Sequence, residues 1–282
     1  MTEERRARIP ADADPDRLDR WLPRLAEVSR GEARRLIDAG GVYVDGRRVR
    51  TQSRTVGPGA ELRWLPGAHR VAERAQEGPK PSIVHRDRHL LVLDKPAGVP
   101  SHATRSTVRG TVERWAADLD GVSYVALHHR LDRDARGLLA VAIHRAANKG
   151  LARAFGERLA ARRYRALVEG EVEDDEGVWH HALQERGRQR RAVPWRGRGK
   201  EMLADWRVVG RREGRTLLEV SLRTGRTHQI RLQAKAAGHP LVGDRLYGSG
   251  GDVLHLQAFG LALPHPVTGE ALSFELPAPE GW

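Results

Sequence analysis

The sequence predicts an α+β protein in two parts, on three observations. Short apolar runs bounded by Gly, Pro and charged turns outnumber helical stripes along most of the chain. The helical stripes are few and short, and two of them fall together near the start. Between residues 67 and 81 the apolar period lapses into Pro, Gly, Ala, Glu, Lys and Arg, the composition of a linker. The expected division is a small module at 1–66, a linker at 67–81 and a larger domain at 82–282.

In the small module, Leu18, Trp21, Leu22 and Leu25 form the i, i+3, i+4, i+7 stripe of a helix, with Asp16 as its acidic cap. Ser29-Arg-Gly-Glu32 is a capping box for a second helix with Ala33, Leu36 and Ile37 on its apolar face, ended by Gly40-Gly41. Val42 and Val44 alternate as a strand, Asp45-Gly46 turns it, and Val49 continues it. A further turn at Gly57-Pro58-Gly59 precedes Leu62 and Trp64. The exposed side carries Arg30, Arg34, Arg35, Arg47, Arg48 and Arg50, a density that favours phosphate binding over an ordinary solvated face.

In the larger domain, residues 83–95 predict two strands around a charged turn, followed by the loop Lys95-Pro96-Ala97-Gly98. Residues 111–119 and 146–159 predict helices, the second with Leu151, Phe155 and Leu159 on one face. Residues 162–168 predict a strand containing Tyr164, and 203–208 with 216–222 an antiparallel pair. Residues 185–200 hold many arginines, Lys200, one acid and Trp195. That composition suits either a solvated loop or RNA, with phosphates paired and a base stacked. The final strands fall near 254–256 and 261–265.

Composition narrows the function. Lys plus Arg number 49 against 37 Asp plus Glu, a formal net charge of +12, and the isoelectric point near 10.9 points to a polyanionic partner. Arginine dominates, and its planar fork suits phosphates and stacks on bases. There is no cysteine, which removes disulfides, thiolate zinc sites and thiol nucleophiles. The opening residues have no apolar signal region and no run is long enough to span a membrane, so a cytoplasmic protein is expected.

The candidate chemistry lies in the polar knot His128-His129-Arg130-Leu131-Asp132-Arg133-Asp134-Ala135-Arg136, flanked by the apolar runs 125–127 and 138–143, which read as buried strands. Arg130 beside Asp132 suggests a carboxylate kept ionised by a near guanidinium, and an ionised Asp can be a nucleophile. In so charged a chain the same spacing also describes a solvated ion pair worth about 0–1 kcal/mol.

His129-Arg130-Leu131-Asp132 with Gly137-Leu138-Leu139 resembles the signature of the RluA family of RNA pseudouridine synthases. Lys95-Pro96-Ala97-Gly98 is similar to the family's opening loop, and Arg162-Arg163-Tyr164-Arg165-Ala166 to its second motif. Thr224-Gly225-Arg226-Thr227-His228-Gln229-Ile230-Arg231, with Gly238-His239-Pro240, Gly243-Asp244 and Tyr247-Gly248, resembles its third. Residues 17–64 are similar to the RNA-binding module of the fourth small-subunit ribosomal protein. Two departures stand out. Ala135-Arg136 replaces a Thr-Ser pair, and Gln233 stands where the family often has His.

The resemblance implies a mixed, largely antiparallel sheet with flanking helices, joined to the small RNA-binding module. It implies a monomer that isomerises uridines of RNA to pseudouridine, with ribosomal RNA the first expectation and tRNA the second. Asp132 would be the catalytic carboxylate and Arg231 its ionic partner. Tyr164 would stack on the uracil and assist loss of the C5 proton. His129, Arg130, Arg226 and His228 would bind substrate, as Arg30, Arg34, Arg35, Arg47 and Arg48 would bind RNA. No cofactor and no metal is implied: His128-His129 and His180-His181 lack the helical spacing of zinc proteases. The rival reading, on the strength of Ala135 and Arg136, is a non-catalytic RNA-binding or ribosome-assembly factor that kept the fold.

Overall fold

The computed structural model describes residues 4–67, 79–102, 110–187 and 189–282. Most of the expected linker, 68–78, and Arg188 of the basic stretch lie outside the described residues. The chain divides into two compact units, Met1–Gly78 with His102–Trp115, and Pro79–Ser101 with Ala116–Trp282. The segment His102–Trp115 thus groups with the first unit. No helix among the described residues is long and apolar enough to cross a membrane.

The first unit runs β1 (Arg5–Arg8), β2 (Asp16–Arg17), α1 (Leu18–Ala26), α2 (Arg30–Asp38), β3 (Val42–Val44), β4 (Arg47–Val49), β5 (Thr55–Val56) and β6 (Glu61–Trp64). An antiparallel sheet in the order β1-β6-β3-β4 packs against the two helices through Leu18, Leu22, Leu36, Ile37, Val42 and Leu62, all buried. Asp45 and Gly46 both have positive φ, 47° and 77°, the conformation that a two-residue hairpin turn demands. The Ser29 hydroxyl accepts from Glu32 N as the cap of α2. Asp16 does not cap α1: Arg17 occupies that position without a side-chain bond. The Asp16 carboxylate instead meets Arg20 and Arg24.

The second unit contains β7 (Ser82–Arg86), β8 (Leu90–Lys95), the C-terminal end of α3 (Val112–Ala117), β9 (Arg136–Ala142), α4 (Ala147–Gly156), β10 (Ala161–Glu169) and β11 (Glu176–Arg186). It continues with β12 (Gln189–Pro194), β13 (Lys200–Arg212), β14 (Arg215–Leu222), α5 (Gln229–Ala236), β15 (Leu256–Pro264) and β16 (Ala271–Glu275). Its ten-stranded sheet has the order β12-β11-β13-β14-β10-β15-β9-β8-β7, with β16 on β15. Every pair is antiparallel except β9 with β15. This is the mixed, largely antiparallel sheet expected.

The parallel pair explains Gly137. Its φ is +115°, and a Cβ there would lie 2.3 Å from the carbonyl oxygen of Ala258. Only glycine lets β9 leave the polar knot and run alongside β15. Helix α4 packs on this part of the sheet through Ala147, Leu151 and Ala154.

Local patterns misled in three further places. The run 125–127 is no buried strand. It makes one isolated bridge, Ala126 with Ala142, on the edge of β9 that β15 leaves after pairing Arg136 and Gly137. Leu159 lies past the end of α4 and is 49% exposed, so the apolar stripe ends at Phe155. The basic stretch is not a loop: β11 and β12 pair from His181 with Pro194 to Arg186 with Gln189, forming a hairpin at the sheet edge. Gln229-Ile230-Arg231, to which the sequence reading gave no element, opens α5.

Gly150 gives a test of packing. Replacing a helical glycine by alanine ordinarily stabilises by about 1 kcal/mol. Here a Cβ would fall 2.0 Å from the carbonyl oxygen of Pro266. Gly150→Ala should therefore destabilise by roughly 2 kcal/mol and lower the melting temperature by roughly 4–8 °C in thermal denaturation.

Candidate active site

A cleft of about 450 Å³ opens in the second unit, between the polar knot, β10 and the turn before α5. Asp132, Tyr164 and Arg231 all line it, with His129, Arg130, Arg226 and His228. The structure therefore brings together every candidate that the sequence placed in the larger domain.

Asp132 is held through its neighbours. Leu131 N donates to the Ser101 hydroxyl at 3.1 Å, and that hydroxyl donates to Leu131 O at 2.9 Å. Arg133 O accepts from Gly98 N at 2.9 Å and from the Lys95 ammonium at 3.0 Å. The same ammonium donates to Pro96 O and Val99 O at 2.8 and 2.7 Å. Lys95 is fully buried and its three N–H bonds meet three carbonyls. Burial pushes its pKa down to about 7, and the Asp132 carboxylate is the strongest influence the other way. Three carbonyl acceptors suit the ammonium form, since a neutral amine would leave one of them facing a lone pair. The Lys95–Ser101 loop thus clamps the backbone on both sides of Asp132.

The turn before α5 is built by Gln229. Its Oε1 accepts from Arg226 N and from the Thr224 hydroxyl, and its Nε2 donates to Leu203 O. His228 then caps the helix in the left-handed region, at φ 57°. Its Nδ1 lies 2.8 Å from the Tyr247 hydroxyl and its Nε2 3.9 Å from Asp132 Oδ1. Burial, opposed chiefly by Asp132, pushes the His228 pKa down and keeps the ring neutral near pH 7. Gln233, the departure from the family pattern, is fully buried and donates to Trp179 O and Met202 O, fastening α5 to β11 and β13.

Arg231 differs from expectation in its main partner. Its Nε and Nη2 donate to the two oxygens of Asp244, each at 2.7 Å. Only Nη1 reaches Asp132 Oδ2, at 3.4 Å. Both Arg231 and Asp244 are buried, while the Asp132 side chain keeps 15% exposure. The near guanidinium at Asp132 is this one and not Arg130, which is exposed on the cleft wall. The sequence did not single out Asp244 or Lys95. Both lie in the quoted motifs, Gly243-Asp244 and Lys95-Pro96, but nothing in the residue order says which charge a buried carboxylate or ammonium will meet.

The Tyr164 ring is 7% exposed, and burial raises its pKa, so it stays a phenol at neutral pH. His129 Nε2 accepts from Ala140 N at 2.9 Å, and the ring stacks on Phe155 at 4.0 Å. It fastens the knot to β9 and α4 while lining the cleft. In the first unit, Arg17, Arg30 and Arg34 converge on the buried Asp19 at 2.9, 3.3 and 3.1 Å. Arg17 first, then Arg34 and Arg30, hold that carboxyl well below the usual range against the opposing effect of burial. Arg48 lies against the Tyr43 hydroxyl, and Arg35 and Arg47 are exposed.

One group among the described residues has metal-ligand character, with Asp87, His89 and His265 offering atoms within 4.8 Å of one another. Its hydrogen bonds suit a different role. His265 Nδ1 accepts from Thr268 N at 3.0 Å, which places the ring proton on Nε2, 3.3 Å from Asp87 Oδ2. With its proton there, that nitrogen faces the carboxylate without a lone pair to offer a metal.

The Arg231–Asp244 pair yields a pH prediction. Burial raises the Asp244 pKa, but Arg231 and the N–H groups of Leu246 and Tyr247 more than offset this, leaving it below 3.8. A carboxyl depressed on folding stabilises fully above its unfolded pKa, near 3.9, and loses that contribution as pH falls through the folded value. Asp244→Asn should cost about 3 kcal/mol at pH 7 in urea denaturation. The gap from wild type should narrow as pH drops below about 4.

Comparison with known proteins gives the family. Residues 89–236 match the RNA pseudouridylate synthase family and residues 16–62 match the S4 domain. The ribosomal large subunit pseudouridine synthase C of Escherichia coli is 33% identical, with 97% of this chain and 92% of that one aligned. The ribosomal large subunit pseudouridine synthase D of Nitrosomonas europaea is 34% identical, over 96% of this chain and 84% of that one. Among solved structures, human RNA pseudouridylate synthase domain containing 1 superposes with a TM-score of 0.60 at 27% identity, covering 71% of this chain and 84% of its own. A family match over half the chain, near-complete alignment to these relatives and the shared fold lead to one conclusion: this chain is an RNA pseudouridine synthase of the RluA family, with an N-terminal S4 domain.

Proposed function

We propose that this enzyme isomerises particular uridines of ribosomal RNA, with Asp132 as the catalytic carboxylate. The observation that carries the reading is the contrast within one cleft. Arg231 and Asp244 are sealed from solvent, while Asp132, clamped on both sides by the Lys95–Ser101 loop, keeps an exposed face. The reaction breaks the N1–C1′ bond, turns the base, joins C5 to C1′ and releases the C5 proton while the freed N1 takes one up. Bond types exchange without net oxidation. Tyr164 supplies a face for the uracil. Its raised pKa favours stacking over service as a phenolate base. Ribosomal RNA as the target follows the names of the relatives. The rival reading, a non-catalytic factor, gains nothing from Ala135. That residue adds no bulk beside Asp132, whose carboxylate stays accessible.

Asp132→Asn should abolish tritium release from ribosomal RNA carrying C5-tritiated uridine, with RNA affinity kept within a few-fold. Turnover within tenfold of wild type would remove Asp132 from this role.

The domain division at 66 and 82 is part of the same proposal, with the S4 domain as an RNA anchor. Arg30 and Arg34 are poor probes of that anchor, because they neutralise the buried Asp19 and their removal would also destabilise the unit. Arg35 and Arg47 are exposed, and substituting them leaves that cluster intact. Arg35→Gln with Arg47→Gln should weaken binding of ribosomal RNA. The slope of log affinity against log salt should become shallower by roughly 0.7–0.9 for each phosphate that is no longer neutralised. An unchanged slope would exclude both side chains from the interface.

A further inference from the structure

The rim of the cleft continues into a strip of interacting side chains that the proposed chemistry leaves unused. Arg158 and Arg226 are exposed and line the cleft. Both meet Glu201 on β13. Arg158 Nη2 lies 3.8 Å from its Oε2, and Arg226 Nε donates to its backbone oxygen at 3.1 Å. The other carboxylate oxygen of Glu201 lies 3.1 Å from His180 Nε2. His180, on β11, stacks on Trp195 with ring centroids 5.2 Å apart and planes 21° apart. Trp195 directly follows β12, the outermost strand of the sheet.

The strip therefore runs without a break from the cleft to an aromatic pair at the sheet edge. His180 covers one face of the indole, and the ring stays partly exposed. The Glu201 carboxylate meets only one of the two exposed guanidiniums, that of Arg158, and Arg196 and Arg198 follow Trp195 with no carboxylate partner among the described residues. Arg158 itself is held in the left-handed region, at φ 61°. That is the position just past the C-cap of α4, where a left-handed residue commonly closes a helix.

We propose that this strip is a subsite for the nucleotide flanking the target uridine, with its base on the Trp195 indole and its phosphate met by Arg158 and Arg226. The proposal rests on the reading of the cleft as the uridine site. Drawing a uridine out of its stack strips its neighbours of one stacking partner, and an aromatic platform beside the cleft replaces it. Every base has a π-face, so the platform grips opened or single-stranded RNA without selecting its sequence. Glu201 spaces the two guanidiniums and orients His180 beneath the indole. The choice of uridine then rests on RNA shape and on the other contacts of the chain.

The test uses the full chain and a fluorescein-labelled nonamer with a single central uridine among cytidines, read by anisotropy. Trp195→Ala should weaken binding roughly tenfold, in line with the usual worth of base–aromatic stacking, and Trp195→Phe should stay within about threefold of wild type because a ring remains. A second probe replaces the nucleotides on both sides of the central uridine with base-less riboses. Wild type should weaken about as much on this probe as Trp195→Ala does on the first, and Trp195→Ala should weaken little further. The proposal is overturned if the base-less probe binds wild type as tightly as the intact one. It is equally overturned if removing the bases costs wild type and Trp195→Ala the same factor. The first of these needs no variant, so poor folding of Trp195→Ala cannot shield the idea. Failure of the uridine-site reading shows up elsewhere: Asp132→Asn would still release tritium, whatever Trp195 does in the binding assay.

Discussion

One guanidinium organises the cleft. Arg231 directs two N–H groups to Asp244 and extends the third nitrogen toward Asp132. A buried cation needs a partner, and Asp244 meets that need in full. Asp132 is thereby relieved of a structural duty. Its longer approach to the same guanidinium keeps it oriented and leaves an exposed face for a substrate. Were Asp132 the sole partner of Arg231, any ligand approaching that carboxylate would compete with the fold itself.

The backbone achieves the rest of the alignment. Leu131 and Arg133 are tied to the Lys95–Ser101 loop by hydrogen bonds that do not depend on the Asp132 side chain. A few residues on, Gly137 admits the parallel pairing of β9 with β15 by letting Ala258 approach within a distance no Cβ allows. The carboxylate thus stands at the end of a strand locked into the sheet, between a saturated lysine on one side and the Arg231–Asp244 pair on the other. Such rigidity fits a site whose electrostatics are set before substrate arrives.

The excess positive charge serves two ends. Part of it is internal: Arg17, Arg30 and Arg34 neutralise one buried carboxylate, and Arg231 serves two carboxylates. The rest faces solvent along the S4 domain, the cleft rim and the β11–β12 hairpin. A surface arginine and a structural one look alike in a composition count, so the net charge points to a polyanionic partner without saying which side chains meet it.

The motifs His129-Arg130-Leu131-Asp132 and Thr224 to Arg231 were legible in the sequence, and with them the family, the α+β class and the cleft residues Asp132, Tyr164 and Arg231. Periodicity also located α1, α2 and most strands, since those patterns depend on residues a few positions apart. What could not be read depends on distant pairs. The run 125–127 has the composition of a strand, yet it meets β9 at a single bridge, Ala126 with Ala142, beyond the two residues that β15 pairs. The basic stretch 185–200 looked like a loop until β11 supplied an edge for β12 to join. Residue order thus governs the turns, the helices and the inventory of charged groups. The pairing of Arg231 first with Asp244, of Lys95 with three carbonyls and of His180 with Trp195 came only with the packed fold. Each of these is a choice among many possible partners, made by burial, where an unmet charge or hydrogen bond is too costly to leave.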